Sequence, residues 1–279
     1  MDWTRCGRFV VGGRSRGCNR SAVLNRICYD LFKPRRYNKV LRASWLSATT
    51  HLGEYIYVAK LDEPNLIYRH LNRLAYDVLA GEYRLRGLAP GPNQEAPPYL
   101  ADLLLRKVTS PDRILELGPG PGDVLRELSK HARQMLAIEL SPQMAEIAAE
   151  SAPSATVIIA DIMDVDFPTN SFDGIYAGAF FHLFPEREAK DLIRKAAGWL
   201  KPDGAMFLNT SVQDEQKASI EIKSDYIIKV ARYRSRWSED FFRSIIEDAG
   251  LRIVDRATTN ETERSKYWVA FICRKISGA

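Results

Sequence analysis

From Tyr99 to the end of the chain, short apolar runs alternate with amphipathic stretches. Runs of four to eight apolar residues read as buried strands, and apolar residues spaced three and four apart read as helices. Strands are predicted at Arg113–Leu117, Met135–Glu139, Ala155–Ala160, Phe172–Ala179 and Gly204–Thr210. Helices are predicted at Tyr99–Val108, Gly122–Ala132, Pro142–Glu150 and Glu186–Leu200, with Ser141 as an N-cap. Strand–helix alternation means right-handed crossovers and a parallel sheet covered on both faces. After it come a helix at Glu239–Ala249, stopped by Gly250, and two strands, Leu251–Asp255 and Tyr267–Cys273. No helix separates those two strands, so they form an antiparallel pair at the end of the sheet.

Upstream, Ile67, Leu71, Leu74, Ala75, Val78 and Leu79 share one helical face, which predicts a helix over Asn65–Arg86 ended by Gly87. The breaker-rich segment Ala89–Pro98 separates it from the sheet region. Three parts are expected: a basic extension over 1–60, a helical cap with linker over 61–98, and the sheet domain over 99–279. Within the last, residues 211–237 form an insertion. There Ile220, Ile227, Val230 and Ala231 predict an amphipathic helix.

Charge changes the picture only at the N-terminus. The net charge is +5, but residues 1–42 carry eleven Lys and Arg against Asp2 and Asp30, a local +9 that leaves −4 for the rest. The high isoelectric point belongs to the arm. An organellar transit segment, a nucleic-acid arm, an interaction arm and an unordered extension all fit it. Cysteines 6, 18, 28 and 273 have no metal-ligand spacing, so no metal is expected and a reduced cytoplasmic protein is. The uncharged run Gly174–Pro185 is too short to span a bilayer.

The chemistry starts at Leu-Glu-Leu-Gly-Pro-Gly-Pro-Gly-Asp-Val-Leu, residues 115–125. A P-loop needs Lys-Ser/Thr after its last glycine, and Asp123-Val124 stands there instead. The dinucleotide pattern Gly-x-Gly-x-x-Gly requires glycine at 123, and the third glycine comes one place early. Glu-x-Gly-x-Gly-x-Gly fits S-adenosyl-L-methionine, which has no phosphate and carries an ammonium suited to Glu116. Gly118, Gly120 and Gly122 permit close backbone approach, and Pro119 and Pro121 stiffen the loop.

On these residues the chain resembles the class I S-adenosylmethionine-dependent methyltransferases, from about Tyr99 to Lys275. The resemblance implies a Rossmann-like α/β fold, a parallel sheet with a C-terminal antiparallel strand, under an N-terminal helical cap. It implies that Glu139, 21 residues after Gly118, takes the ribose hydroxyls with Leu140 beside it. It implies that Asp161 accepts from the adenine amino group while Ile162 packs on the ring. Phe172-Asp-Gly-Ile-Tyr-Ala-Gly-Ala-Phe-Phe-His-Leu resembles the fourth-strand motif, which adds Ala177 to the cofactor positions. Leu200-Lys-Pro-Asp-Gly204 resembles the turn before the fifth strand, with Asp203 where the family usually has glycine. Tyr76–Tyr83 resembles the cofactor-covering helix, and Tyr83 would close over the methionine end. The resemblance also implies that the insertion 211–237 is a substrate lid, whose Lys223, Lys229, Arg232, Arg234 and Arg236 would attract an anionic substrate or form a solvated basic face.

Methyl transfer from a sulfonium asks the protein chiefly to align donor and acceptor. His182, just past the fourth strand, is the candidate base, against a structural role common in the family. Tyr176, Phe180, Phe181 and Tyr226 are candidate pocket residues, with core packing as the alternative for the first three. The expected acceptor is a small molecule, of the sort made in secondary metabolism. Aminopropyl transfer or cyclisation on the same cofactor, and an idle or nucleic-acid-associated cofactor-binding protein, are the rivals. A nucleic-acid partner is not expected, because Ala177-Gly-Ala-Phe180 stands where base-amino methylases carry Asn/Asp-Pro-Pro-Tyr/Phe. A monomer or homodimer is expected. Gly13-Arg-Ser-Arg-Gly17 imitates a hydrolase elbow but precedes any sheet.

Overall fold

The computed structural model describes residues 45–49, 55–59, 67–88, 97–223, 225–261 and 266–276. The basic arm over 1–42 and residues 89–96 of the 89–98 linker lie outside the described residues, and the linker's last two residues, Pro97 and Pro98, open a helix. A hairpin of β1 (Trp45–Thr49) and β2 (Tyr55–Ala59) precedes α1 (Ile67–Leu88). Then follow α2 (Pro97–Leu105), β3 (Arg113–Leu117), α3 (Asp123–Leu128), β4 (Gln134–Glu139), α4 (Pro142–Ser151) and β5 (Thr156–Ile159). Next are β6 (Phe172–Ala177), α5 (Glu186–Trp199), β7 (Leu200–Val212), β8 (Lys217–Lys223) and β9 (Val230–Arg236). The chain continues through α6 (Glu239–Glu247), β10 (Leu251–Glu261) and β11 (Lys266–Lys275).

Seven strands form one sheet in the order β10-β11-β7-β6-β3-β4-β5. β5, β4, β3, β6 and β7 run parallel, and β11 is antiparallel to both β7 and β10. This is the expected α/β sheet with its antiparallel end. Because strand side chains alternate, each strand feeds two cores. One holds Leu115, Leu117, Ile175, Met206 and Phe271 against α5 and α6. The other holds Ile114, Ala137, Tyr176 and Phe207 against α2, α3 and α4. Among the described residues no helix is long and apolar enough to cross a membrane.

Three expectations need correction. First, α3 ends at Leu128 rather than Ala132. Ser129 turns its hydroxyl back onto the Arg126 carbonyl at 2.9 Å, a local bond that competes with helix continuation. Second, α1 runs through Gly87 to Leu88, and its buried stripe is Tyr68, Asn72, Ala75 and Leu79. Ile67, Leu74 and Val78 of the expected face are exposed. The helix covers a cavity of mostly apolar lining and a hairpin, and its aromatic and amide side turns inward, Asn72 bonding to the Leu183 carbonyl and the Tyr233 N–H. Third, the described residues of 211–237 contain no helix. Lys-Ala-Ser-Ile-Glu-Ile-Lys and Val-Ala-Arg-Tyr-Arg-Ser-Arg alternate with period two and pair as an antiparallel hairpin.

Candidate active site

The parallel strands end at one edge of the sheet, where open α/β folds bind ligands. A cavity of about 250 Å³ lies there. Its floor is the loop after β3, its sides follow β4, β5 and β6, and α1 roofs it with Tyr68, Arg69, Asn72, Tyr76 and Tyr83.

The loop after β3 has Gly118, Gly120 and Gly122 at φ 65, 54 and 84°. Only glycine enters that region without strain. A Cβ on Gly118 would stand 2.6 Å from the Phe180 ring, and one on Gly122 would stand 2.8 Å from the Ala148 Cα. A Cβ on Gly120 would meet nothing within 4 Å, because that position faces the cavity. Gly122 therefore serves the contact with α4 and does not line the cavity.

Glu116 ends up beneath this loop. It is buried, and its Oε2 has no hydrogen-bond partner. Burial, with repulsion from Glu139 and Asp123, pushes its carboxyl up to about 8. Glu139, at the end of β4, accepts from Ser141 N at 2.9 Å and from Gly120 N at 3.3 Å. Burial still pushes it up to about 7, against the pull of those backbone N–H groups. Asp161 follows β5. Its Oδ1 accepts from Met163 N at 3.0 Å and its Oδ2 from Arg69 at 3.2 Å. Arg69 also pairs with Glu188 at 2.8 Å and so ties the roof to α5.

Tyr83, Gly118, Gly120, Glu139, Leu140, Asp161, Ile162 and Phe180 all line the cavity. Several expected residues do not: Glu116, buried behind the Gly118–Gly120 turn, is absent from the lining, as is Gly122. Ala177 is buried in the core, and the cavity wall begins with Gly178 and Ala179 instead. Tyr176 points to the opposite core and stacks on Phe207 with ring centroids 4.4 Å apart. Phe181 is fully buried among α5 residues. Tyr226 stacks on the outer side of Tyr83 at 4.7 Å. His182 is buried, with Nδ1 3.2 Å from Thr210 Oγ1 and its ring edge-on to Trp268, and it does not line the cavity.

Sequence reasoning passed over Arg69, Asn72 and Ala179. Ala179 sits at φ 52°, strained for an L-residue, and its N–H donates to Asn209 Oδ1. Its only sequence signal was the neighbouring Gly178. Nothing local marked the others.

The donor set fits S-adenosylmethionine. The orphaned Glu116 carboxylate suits an ammonium, the Glu139 carboxylate suits vicinal hydroxyls, and the open side of Gly120 admits a close ligand. Residues 114–204 match the family model described as a methyltransferase domain. This stretch, about a third of the chain, is a methyltransferase domain of the class I S-adenosylmethionine-dependent kind, whose cofactor is S-adenosylmethionine. It is 27% identical over 168 residues to 27-O-demethylrifamycin SV methyltransferase of Amycolatopsis mediterranei, covering 57% of this chain and 61% of that one. It is 24% identical over 170 residues to a probable dimethyladenosine transferase of Dictyostelium discoideum, covering 56% and 54%. Its fold is shared with 1,6-didemethyltoxoflavin-N1-methyltransferase of Burkholderia thailandensis, at TM-score 0.57 and 15% identity, over 79% of this chain and 96% of that one. The matched part spans 54–61% of the length of such curated relatives.

Proposed function

We propose that this chain transfers the methyl group of S-adenosylmethionine to a small molecule of a kind made in secondary metabolism. The observation that carries the reading is the roofed cavity at the ends of the parallel strands. Helix α1 lies over it, held to the sheet domain by Arg69 on Asp161 and Glu188 and by Asp77 on Ser141. A roof tied down in this way favours a small acceptor, whereas a polymer needs an open groove. The relative named for 27-O-demethylrifamycin SV supports a small acceptor.

When bound, S-adenosylmethionine supplies a methyl group activated by a sulfonium. The chain's own residues bind and orient. Glu116 takes the ammonium, which relieves a buried carboxylate of its missing partner. Glu139 accepts from the ribose hydroxyls. Asp161 and Ile162 hold the adenine, and Tyr83 with Phe180 excludes water from the methionine end. Alignment of donor and acceptor then supplies most of the rate. His182 lies outside the cavity, so we assign it no proton transfer.

Product mass tests the reading. Incubation with S-adenosylmethionine and a small-molecule extract is expected to yield S-adenosylhomocysteine and an acceptor heavier by one methylene. Methylthioadenosine would overturn it in favour of chemistry on the aminopropyl chain. Label appearing only in added RNA would overturn the small-molecule acceptor.

A further inference from the structure

Arg232 and Arg234 lie two residues apart on β9 and so face the same side of the hairpin. Two contacts place that side. Arg234 donates to Ser211 Oγ at the end of β7, beside the sheet edge that carries the cavity. Arg232 Nη1 donates to the Tyr76 hydroxyl at 3.1 Å, and Tyr76 lines the cavity.

Arg232 is unusual in this setting. It is 5% exposed, and its Nε has no hydrogen-bond partner. Its nearest carboxylate, Glu221, stands 3.9 Å from Nη2, beyond hydrogen-bond reach. A buried guanidinium N–H without an acceptor is costly and is relieved by any ligand that supplies one.

The charge around it is unbalanced. Lys223 is also buried, with Nζ 3.0 Å from Asp225 and 4.4 Å from the centre of the Tyr226 ring. Arg236 shares Glu221 with Arg232. Arg232, Arg234, Arg236 and Lys223 thus face Glu221 and Asp225 alone among the ion pairs of the described hairpin. Burial and the nearby Arg232 lower Lys223 to about 8 and lower Arg234 as well, whereas Arg232, against its own burial, is raised by Tyr76, Tyr83 and Glu221. The walls are aromatic: the Tyr76 and Tyr83 rings are 5.9 Å apart, and Tyr83 is backed by Tyr226.

We propose that the methyl acceptor is an aromatic anion, its carboxylate or phenolate bound by Arg232 and Arg234 and its ring set against Tyr76 and Tyr83. This rests on the methyl-transfer reading; the two arginines stand behind the cavity wall rather than in its lining, so the acceptor's anion reaches Arg232 by taking the place of the Tyr76 hydroxyl. A guanidinium edge that includes Nε takes a carboxylate through two parallel hydrogen bonds, and it takes a phenolate through one or two.

Calorimetry on the full chain saturated with S-adenosylhomocysteine tests it, with benzoate and 4-nitrophenolate as probes and benzamide as the neutral control. At least one anion is expected to bind ten-fold or more tighter than benzamide. Arg232→Met and Arg234→Met should each weaken that anion ten-fold or more, and Arg232→Lys should recover part of the loss. S-adenosylhomocysteine affinity should stay within two-fold throughout. Anions no tighter than benzamide, or variants that keep them, would overturn the proposal. So would loss of S-adenosylhomocysteine binding in Arg232→Met, which would assign the arginine to the cofactor carboxylate. If Arg232→Met does not fold, Arg234→Met and the anion-to-benzamide comparison on the native chain decide. Failure of the native chain to bind S-adenosylhomocysteine strikes the methyl-transfer reading instead.

Discussion

Glu116 is protonated in half or more of the free molecules at pH 7, because burial and two neighbouring acids push it up to about 8. An ammonium placed against it favours the carboxylate. S-adenosylhomocysteine binding at pH 7 is therefore expected to release close to one proton, seen as a dependence of calorimetric enthalpy on buffer ionisation. Glu116→Gln should cut that dependence sharply, leaving what Glu139, raised to about 7, releases. The three loop glycines separate binding from stability. Gly122→Ala brings a methyl against the α4 backbone at a left-handed φ, and should cost about 2 kcal/mol or more in urea unfolding. Gly120→Ala meets no protein atom, so its stability cost is the strain of about 1–2 kcal/mol, while its methyl enters the cavity and weakens S-adenosylhomocysteine more. Glu139→Ala removes both ribose acceptors and should weaken that ligand by about 1–3 kcal/mol. These residues were legible in sequence because a loop acid, a glycine at fixed spacing and an acid at a strand end are local marks. Ala177, Tyr176 and Phe181 were misplaced because a strand's alternation does not say which face reaches a ligand.

At the scale of the element, the cap and the hairpin decide the site. Ser141 caps α4 by accepting from Met144 N at 3.2 Å, and the same hydroxyl donates to Asp77 on α1. Ser141→Ala should cost about 1–2 kcal/mol of stability in urea unfolding, the upper part of the range for an N-cap, because it also frees the roof. The cap was legible as a Ser-Pro start to an apolar-periodic run. The inward face of α1 was not: aliphatic periodicity marks a helix bound for an aliphatic core, and this helix covers a cavity and a hairpin with Tyr68, Asn72 and Tyr76. The helix expected in 211–237 failed for another reason. Ile220, Ile227 and Val230 can be fitted to a helical period, but the alternation within 217–223 and 230–236 is satisfied by strand pairing. Ile220 and Ile222 then face solvent while Lys223 and Arg232 are buried, opposite to what hydropathy suggests.

The whole molecule carries its buried acids as a dependence on pH. Glu116 and Glu139 are raised to about 8 and about 7, so between about pH 5 and 8 the folded chain holds protons that the unfolded chain has released. Stability without ligand is expected to fall as pH rises through that window, and to be fully present on its acid side. Groups lowered by partners, such as Glu239 beside Arg256, act in the opposite sense and only below about pH 5. Melting temperatures from pH 5.5 to 8.5 check this, and the Glu116→Gln, Glu139→Gln double variant should flatten the slope.

The sequence by itself determined the alternation of strands and helices, the antiparallel end of the sheet and the cofactor-type loop. Each is written in residues a few positions apart, where backbone sterics and side-chain period act directly. Tertiary structure alone decided which side chains meet over the cavity. Arg232 and Tyr76 are 156 residues apart, and Arg69 and Asp161 are 92 apart. No local period encodes those pairs, because they form only when the sheet edge brings a cap helix and a hairpin to the same place.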